Sequence, residues 1–400
     1  MVVGRRTRNL GSYRGPGNYG ACSQPQTQRI LLLLFARAAN CTTVRAFSGA
    51  PGPNMLDSTK ATTLLLCAGL LLGPSLAAAP AQSQGPCDIY EAAGTPCAAA
   101  HSTARALFTG YGGALYEVTR HSDRATLAIG TTASGAADAA AQDSFCRGTG
   151  CVVTALLDQT PHQNHLHTAP GGPIYNPFPD HGVNASRAEA AVHAGSRVYG
   201  AYFEGKMGYR NDSTSGVPVG EEAETMYMLV DGRHFNDKCC FDYGNAETDD
   251  HDDGVGTMEA LYFGNANGLL DHPGGGRGPW VMADLENGVW AGNESAGNAA
   301  NTAIDADFVL ALLKRKPGAF GLKGADASTA GTLRTLYEGP PPAKYKVMKK
   351  QGALILGIGG DNSNSAVGTF YEGVVVRGFT SDAADEAVHA NLVAAGYSRR

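Results

Sequence analysis

Charged residues are scarce in this chain of 400 residues, only 17% of the total against roughly a quarter in ordinary globular proteins. Basic excess is missing as well, since the formal balance is −6. Nucleic acids are held by clustered Lys and Arg, so such a partner is disfavoured while a neutral polysaccharide stays open. Several catalytic signatures are also lacking. There is no G-x-S-x-G elbow, the main marker of a lipase-like serine enzyme. The glycines of Gly357–Gly360 lead into no helical pattern, so they make no dinucleotide fingerprint. Asp249-Asp250-His251-Asp252-Asp253-Gly254 has the glycine of a calcium loop, but His251 and Ala260 stand at its third and twelfth positions. An oxygen ligand and a glutamate belong there, so a solvated loop is expected. His162, His165 and His167 have no Cys or carboxylate set at ligand spacing beside them. Neither a metal nor another cofactor is expected.

Acidic residues are absent before position 55, where seven arginines occur and only the short run Ile30–Phe35 is apolar. Residues 1–54 read as an extension outside the mature protein: a stretch upstream of a start at Met55, or a transit peptide. From Met55 the order changes to Lys60, an apolar run over Thr63–Leu72 and small residues over Ala77–Ala81. That is the order of a cleavable secretory leader, here 55–84. The run is too short for a membrane span of about 20 residues, so neither an anchor nor a membrane partner is expected. The mature chain, 85–400, carries 23 basic and 36 acidic residues, a balance of −13. It is expected to be secreted, extracellular and monomeric.

Cysteine usage agrees with export. Six of the nine cysteines remain after position 84, an even number for an oxidising compartment. Their spacing points to local bridges Cys87–Cys97 and Cys146–Cys151, leaving Cys239 and Cys240 side by side. Three glycosylation acceptors are present at Asn184, Asn211 and Asn293.

Long helical patterns are few, whereas glycine is abundant, with 53 residues. Short apolar runs bounded by turn residues recur: Val152–Leu157, Arg197–Phe203, Met226–Val230, Met258–Phe263, Trp280–Ala283, Ala353–Ile358 and Gly373–Val376. They have strand length and are rich in β-branched and aromatic residues. An all-β sandwich or barrel is predicted. Phe308–Lys316 reads as a further strand, Ala136–Ser144 as a helix, and Ser381–Ala395 as a helix capped by Ser381 with acids in its first turn. No repeat or long linker interrupts 85–400, so one domain is expected.

Two features carry chemistry. Closing a disulfide between the neighbours Cys239 and Cys240 demands an uncommon backbone, because adjacent Cα atoms are only about 3.8 Å apart across a trans peptide while bridged ones normally lie about 4.4–6.8 Å apart. Such a bridge closes almost no loop and adds little through chain entropy. It can instead offer a flat sulfur surface to the carbon face of a sugar; the alternative is that each cysteine bridges elsewhere. The second feature is carboxylates, since glycoside hydrolysis needs one carboxyl as acid and another as nucleophile or base. Asp284 and Glu286 follow Trp280–Ala283, and alternation puts both on one face of an extended strand. Asp361 sits on the Gly-rich stretch Gly357-Ile358-Gly359-Gly360, where backbone can approach a ligand.

Cys239-Cys240-Phe241-Asp242-Tyr243-Gly244-Asn245-Ala246-Glu247, Gly278–Asn287, Gly357–Asn364, Gly208-Tyr209-Arg210-Asn211 and Gly368–Gly373 together resemble the catalytic domain of glycoside hydrolase family 54, the fungal-type α-L-arabinofuranosidases. The resemblance spans 85–397 in consistent order. It implies a concanavalin-like β-sandwich of jelly-roll type with few short helices, and a retaining exo-enzyme that releases terminal arabinofuranose from arabinan or arabinoxylan. Glu286 matches the nucleophile and Asp361 the general acid/base. Cys239 and Cys240 match a vicinal disulfide packed on the sugar, and Asp284, Asn287 and Gly360 match sugar contacts. The other two bridges match as well. Retention then requires Glu286 and Asp361 to lie about 5–5.5 Å apart, with Asp361 protonated at the start. Two departures stand out. Leu269 falls about where the family has a tryptophan beside the pocket, and it cannot stack as an aromatic does. The C-terminal arabinose-binding β-trefoil of many relatives is not matched. Other readings of the same sandwich are a catalytically silent sugar-binding protein and a hydrolase of a related pentoside or galactofuranoside.

Overall fold

β-Branched and aromatic runs separated by glycine-rich turns favour antiparallel pairing, and the computed structural model is built that way. It describes residues 84–173, 177–252, 254–268 and 271–400. The extension over 1–54, the leader (apart from Gln84) and Leu269 lie outside them.

Two antiparallel layers, joined into one continuous sheet at the Val152–Asn184 pair, form the sandwich. One runs, neighbour by neighbour, through Thr126–Ile129, Tyr116–Arg120, Cys151–Leu156, Leu166–Thr168, Tyr209–Asn211 and Ala353–Leu356. It continues through Asp242–Ala246, Glu259–Gly264, Trp280–Asp284 and Val289–Trp290. The other runs through Arg334–Gly339, Ala319–Asp326, Phe308–Lys316, Glu224–Phe235 and Gly368–Arg377. The far edge of Gly368–Arg377 is shared by Cys97–Ser102 and Ser196–Phe203, and the latter pairs with Asn184–Val192. Every predicted strand is a strand, Phe308–Lys316 included.

Alternation divides the first sheet. Tyr243, Leu261, Phe263, Val281, Leu354 and Leu356 point into the main core between the sheets. Their neighbours Ala246, Ala260, Ile355, Tyr262 and Met282 belong to two small clusters on the opposite face. That second face carries the site.

Helices are short. Ala139–Phe145 is capped by Asp138, which accepts from the Ala141 amide. Asp382–Ala395 is capped by Ser381 as predicted, and ends at Gly396, whose φ of +69° suits a residue without Cβ. Pro86–Ala92 was not foreseen; the Cys87–Cys97 bridge ties it to the strand Cys97–Ser102. Among the described residues no helix is long and apolar enough to cross a membrane.

Candidate active site

Four segments fold over the free face of the first sheet: the vicinal cysteines, the segment following Ala246, the hairpin after Asp284 and the turn after Leu356. They enclose a cleft of about 240 Å³, lined by Cys239, Asp252, Asp284, Glu286, Asp361 and Ser363. A recess of about 30 Å³ shares Cys239, Asp284, Glu286 and Asp361 with it and adds Cys240, Glu247 and Gly360.

Cys239 and Cys240 are bridged to each other, as are the other two predicted pairs. Cys239 is exposed and Cys240 is buried against the sheet. Cys240 Sγ lies 3.2 Å from Asp284 Oδ2. These three residues form the one grouping of potential metal ligands among the described residues. Sulfurs bonded to each other leave no thiolate to hold a cation, so the grouping does not fit a metal.

Glu286 is placed by a turn rather than by strand alternation. The strand ends at Asp284, and the Leu285 amide donates to Gly288 O at 3.2 Å to close the hairpin. Glu286 adopts φ +82°, a left-handed value uncommon outside glycine, which concentrates at functional sites. Asp284 Oδ1 accepts the Glu286 amide at 2.9 Å. The Glu286 carboxylate is gripped at both oxygens, by the Gly254 amide at 2.9 Å and the Thr257 amide at 3.2 Å. In the 249–254 stretch Asp249, His251 and Asp252 are exposed, as a solvated loop requires, while the Gly254 amide serves Glu286 and Asp250 turns inward to pair with the buried Arg210. The reason is tertiary, because the loop's neighbours come from distant strands.

Asp361 stands in a turn whose ends are closed by the Gly359 amide on Ser363 O at 2.9 Å and the Ser363 amide on Asp361 Oδ1 at 2.8 Å. Gly360 leaves room for Glu247: a Cβ there would lie 2.2 Å from Glu247 Oε2 and would require that carboxyl to shift. Asn287 lies beside Glu286, but its amide nitrogen is taken by Asp252 Oδ1 at 2.7 Å and by Gly254 O. Among the acceptor asparagines, Asn184 is exposed, Asn293 is half-buried, and Asn211 spends its amide on His165 O at 2.9 Å. His165 in turn accepts the Asp158 amide at 3.0 Å, a local structural role.

Three buried acids were not singled out from the sequence as a cluster: Asp242, Asp284 and Glu247. Asp242 is fully buried beside Asp284, and burial, then the Asp284 charge, drives its carboxyl well above the usual range. Burial likewise pushes Asp284 up to about 8. Glu247 rises to about 9, chiefly through burial, with the nearby charges of Glu286 and Asp361 adding to it. Nothing local marked Asp242 or Glu247 as buried.

A β-sandwich with an acidic, sugar-sized cleft walled by a vicinal disulfide defines a carbohydrate-active class of protein. Within it, the family model described as "Alpha-L-arabinofuranosidase B, catalytic" matches residues 86–398, and the chain belongs to that family. It is 48% identical over 338 residues to an α-L-arabinofuranosidase of Hypocrea jecorina, covering 84% of this chain and 66% of that protein. A GH54 α-L-arabinofuranosidase soaked with a cyclic sulfate inhibitor superposes with a TM-score of 0.76 at 46% identity, over 79% of this chain and 66% of that one. An arabinofuranosidase complexed with arabinofuranosyl-α-1,2-xylobiose gives 0.75 at 45%, with the same coverage. The chain therefore spans just under two thirds of the length of these relatives.

Proposed function

We propose that the protein is a secreted, retaining exo-α-L-arabinofuranosidase that removes terminal arabinofuranose from arabinan or arabinoxylan side chains. The observation that carries this reading is the meeting of Glu286 and Asp361 in one cleft beside the Cys239–Cys240 wall, in a chain of the arabinofuranosidase B family. The relative with arabinofuranosyl-xylobiose bound supports the substrate class.

In the first step the Glu286 carboxylate attacks the anomeric carbon while Asp361 gives its proton to the departing glycosidic oxygen. An arabinosyl ester forms on Glu286 and the aglycone leaves as an alcohol. In the second step Asp361, now ionised, takes a proton from water as that water attacks the same carbon, which frees arabinose and restores both carboxyls. The sulfur wall excludes water from one side of the ring. The two amides on Glu286 keep its attack direction constant. In this reading Asp284, beside Cys240, meets a ring hydroxyl.

The test uses purified 85–400 protein against a panel of aryl glycosides. Cleavage of the α-L-arabinofuranoside is expected, and Glu286→Gln should lower it by more than about 10³-fold, as removal of a nucleophile does. Near-normal activity of that variant would remove the nucleophile assignment. Wild-type cleavage of none of the panel would favour a sugar-binding protein.

A further inference from the structure

We infer that Arg210 is a positioning residue for the acid/base, pinning the turn that carries Asp361 to the sheet beneath it. The inference rests on the reading of Asp361 given above.

Arg210 belongs to Tyr209–Asn211, the strand beside Ala353–Leu356, and pairs with Ile355. Its side chain is wholly buried. Nη1 donates to Gly360 O and, at 3.4 Å, to Asn362 Oδ1. These are the residues on either side of Asp361. Nη2 donates to Glu247 O, and Nε pairs with Asp212 and, at 2.6 Å, with Asp250. One planar guanidinium thus joins the acid/base turn to the segment after Ala246 and to the loop that grips Glu286.

The turn is held from other directions too. The Glu247 carboxyl occupies the space a Cβ on Gly360 would need. Asn362, at φ +62°, donates to Pro170 O at 2.8 Å. Asp361 is therefore the one member of the Gly360–Asn362 stretch whose side chain faces the cleft while both flanks are tied to Arg210. Lysine cannot replace this arrangement, because a single ammonium lacks the fork of donors that reaches separate acceptors in a plane. Burying a guanidinium is costly, and an aliphatic side chain would fill the same floor. What the guanidinium adds is a set of directional ties to the two neighbours of Asp361.

Proton donation matters most when the departing group is a poor one. An alkyl or sugar alkoxide needs its proton, while a dinitrophenolate leaves without it. Arg210→Lys is therefore compared on methyl and dinitrophenyl α-L-arabinofuranosides. With Asp361 displaced, kcat/KM for the methyl glycoside should fall by about 10²-fold, the cost of an error of about 1 Å. For the dinitrophenyl glycoside kcat/KM should change by less than about threefold, since protonation by a general acid contributes little there. Its kcat should fall and recover with azide, a nucleophile that needs no base. Asp361→Asn should show the same pattern and Glu286→Gln loss on both substrates.

Equal loss on the two glycosides, or no loss on either, would overturn the inference. If Arg210→Lys does not fold, Asn362→Gly keeps the positive φ but removes two of the ties and is judged by the same criterion. Failure of Asp361→Asn to discriminate between the glycosides would instead indict the acid/base assignment, and a wild type inactive on both would indict the proposed function.

Discussion

Glu247 and Asp284 are acids placed where charge is costly, and that has a consequence for stability. In the unfolded chain both titrate near about 4. In the folded protein burial raises Asp284 to about 8 and Glu247 to about 9. A folded state that binds protons more tightly is favoured at low pH. Their stabilising contribution is present in full below the unfolded value, erodes as pH rises, and is gone once pH passes the folded values. The thermal midpoint should therefore decline between mildly acidic and alkaline buffers. Glu247→Gln, which cannot ionise, should flatten that decline; a slope equal to wild type would show that Glu247 is not the group responsible. At this scale Glu286 and Asp361 were legible because each follows an apolar run at a strand end. Asp242, Glu247 and Arg210 were not, since what makes each of them special is a neighbour from a remote segment.

Elements show how far local signals reach. The helix Asp382–Ala395 was readable because its stop and start are chemical: Ser381 Oγ accepts the Ala384 amide at 3.2 Å, and acids lie in the first turn. Ser381→Ala should cost about 1 kcal/mol, read as a shift of the urea midpoint without a change in kcat; no shift would mean that the cap contributes nothing. Pro86–Ala92 lacks the alanine-rich composition that marked the equally short Ala139–Phe145. The strands Asn184–Val192 and Ala319–Asp326 were missed for another reason. They carry arginine, glutamate, lysine or repeated glycine, yet tertiary partners recruit them into sheets. The hairpin 285–288 is a further case: the sequence showed alternation continuing to Glu286, while the chain turns one residue after Asp284 and reaches the cleft by a left-handed φ.

At the scale of the whole molecule, one buried cation bridges the two sheets. Lys350 Nζ lies 2.9 Å from both Glu224, on the core sheet, and Glu259, on the sheet that bears the cleft. All three side chains are buried, and burial raises Glu224 to about 7 even though the Lys350 charge opposes it. Lys350→Met would strand two buried carboxyls, and loss of one partner from such a pair costs about 3–5 kcal/mol. The thermal midpoint should drop by several degrees at neutral pH, and less in acid, where both carboxyls can take a proton. An unchanged midpoint would show that the bridge is not a stabilising one.

The sequence by itself determined the strands with strong alternation, the all-β class, the local bridges Cys87–Cys97 and Cys146–Cys151, and the two carboxyls after apolar runs. Those properties depend on residues within a few positions of one another, where backbone periodicity and turn chemistry dominate. Tertiary structure alone decided that the cleft lies on the face of one sheet turned away from the main core, that Glu286 is gripped by amides of the 254–257 stretch, and that burial raises Asp242 and Glu247 above the usual carboxyl range. Alternation dictates which side of a sheet a residue takes, but not which distant loop folds over that side. Burial, and with it the cost of charge, follows from the loop.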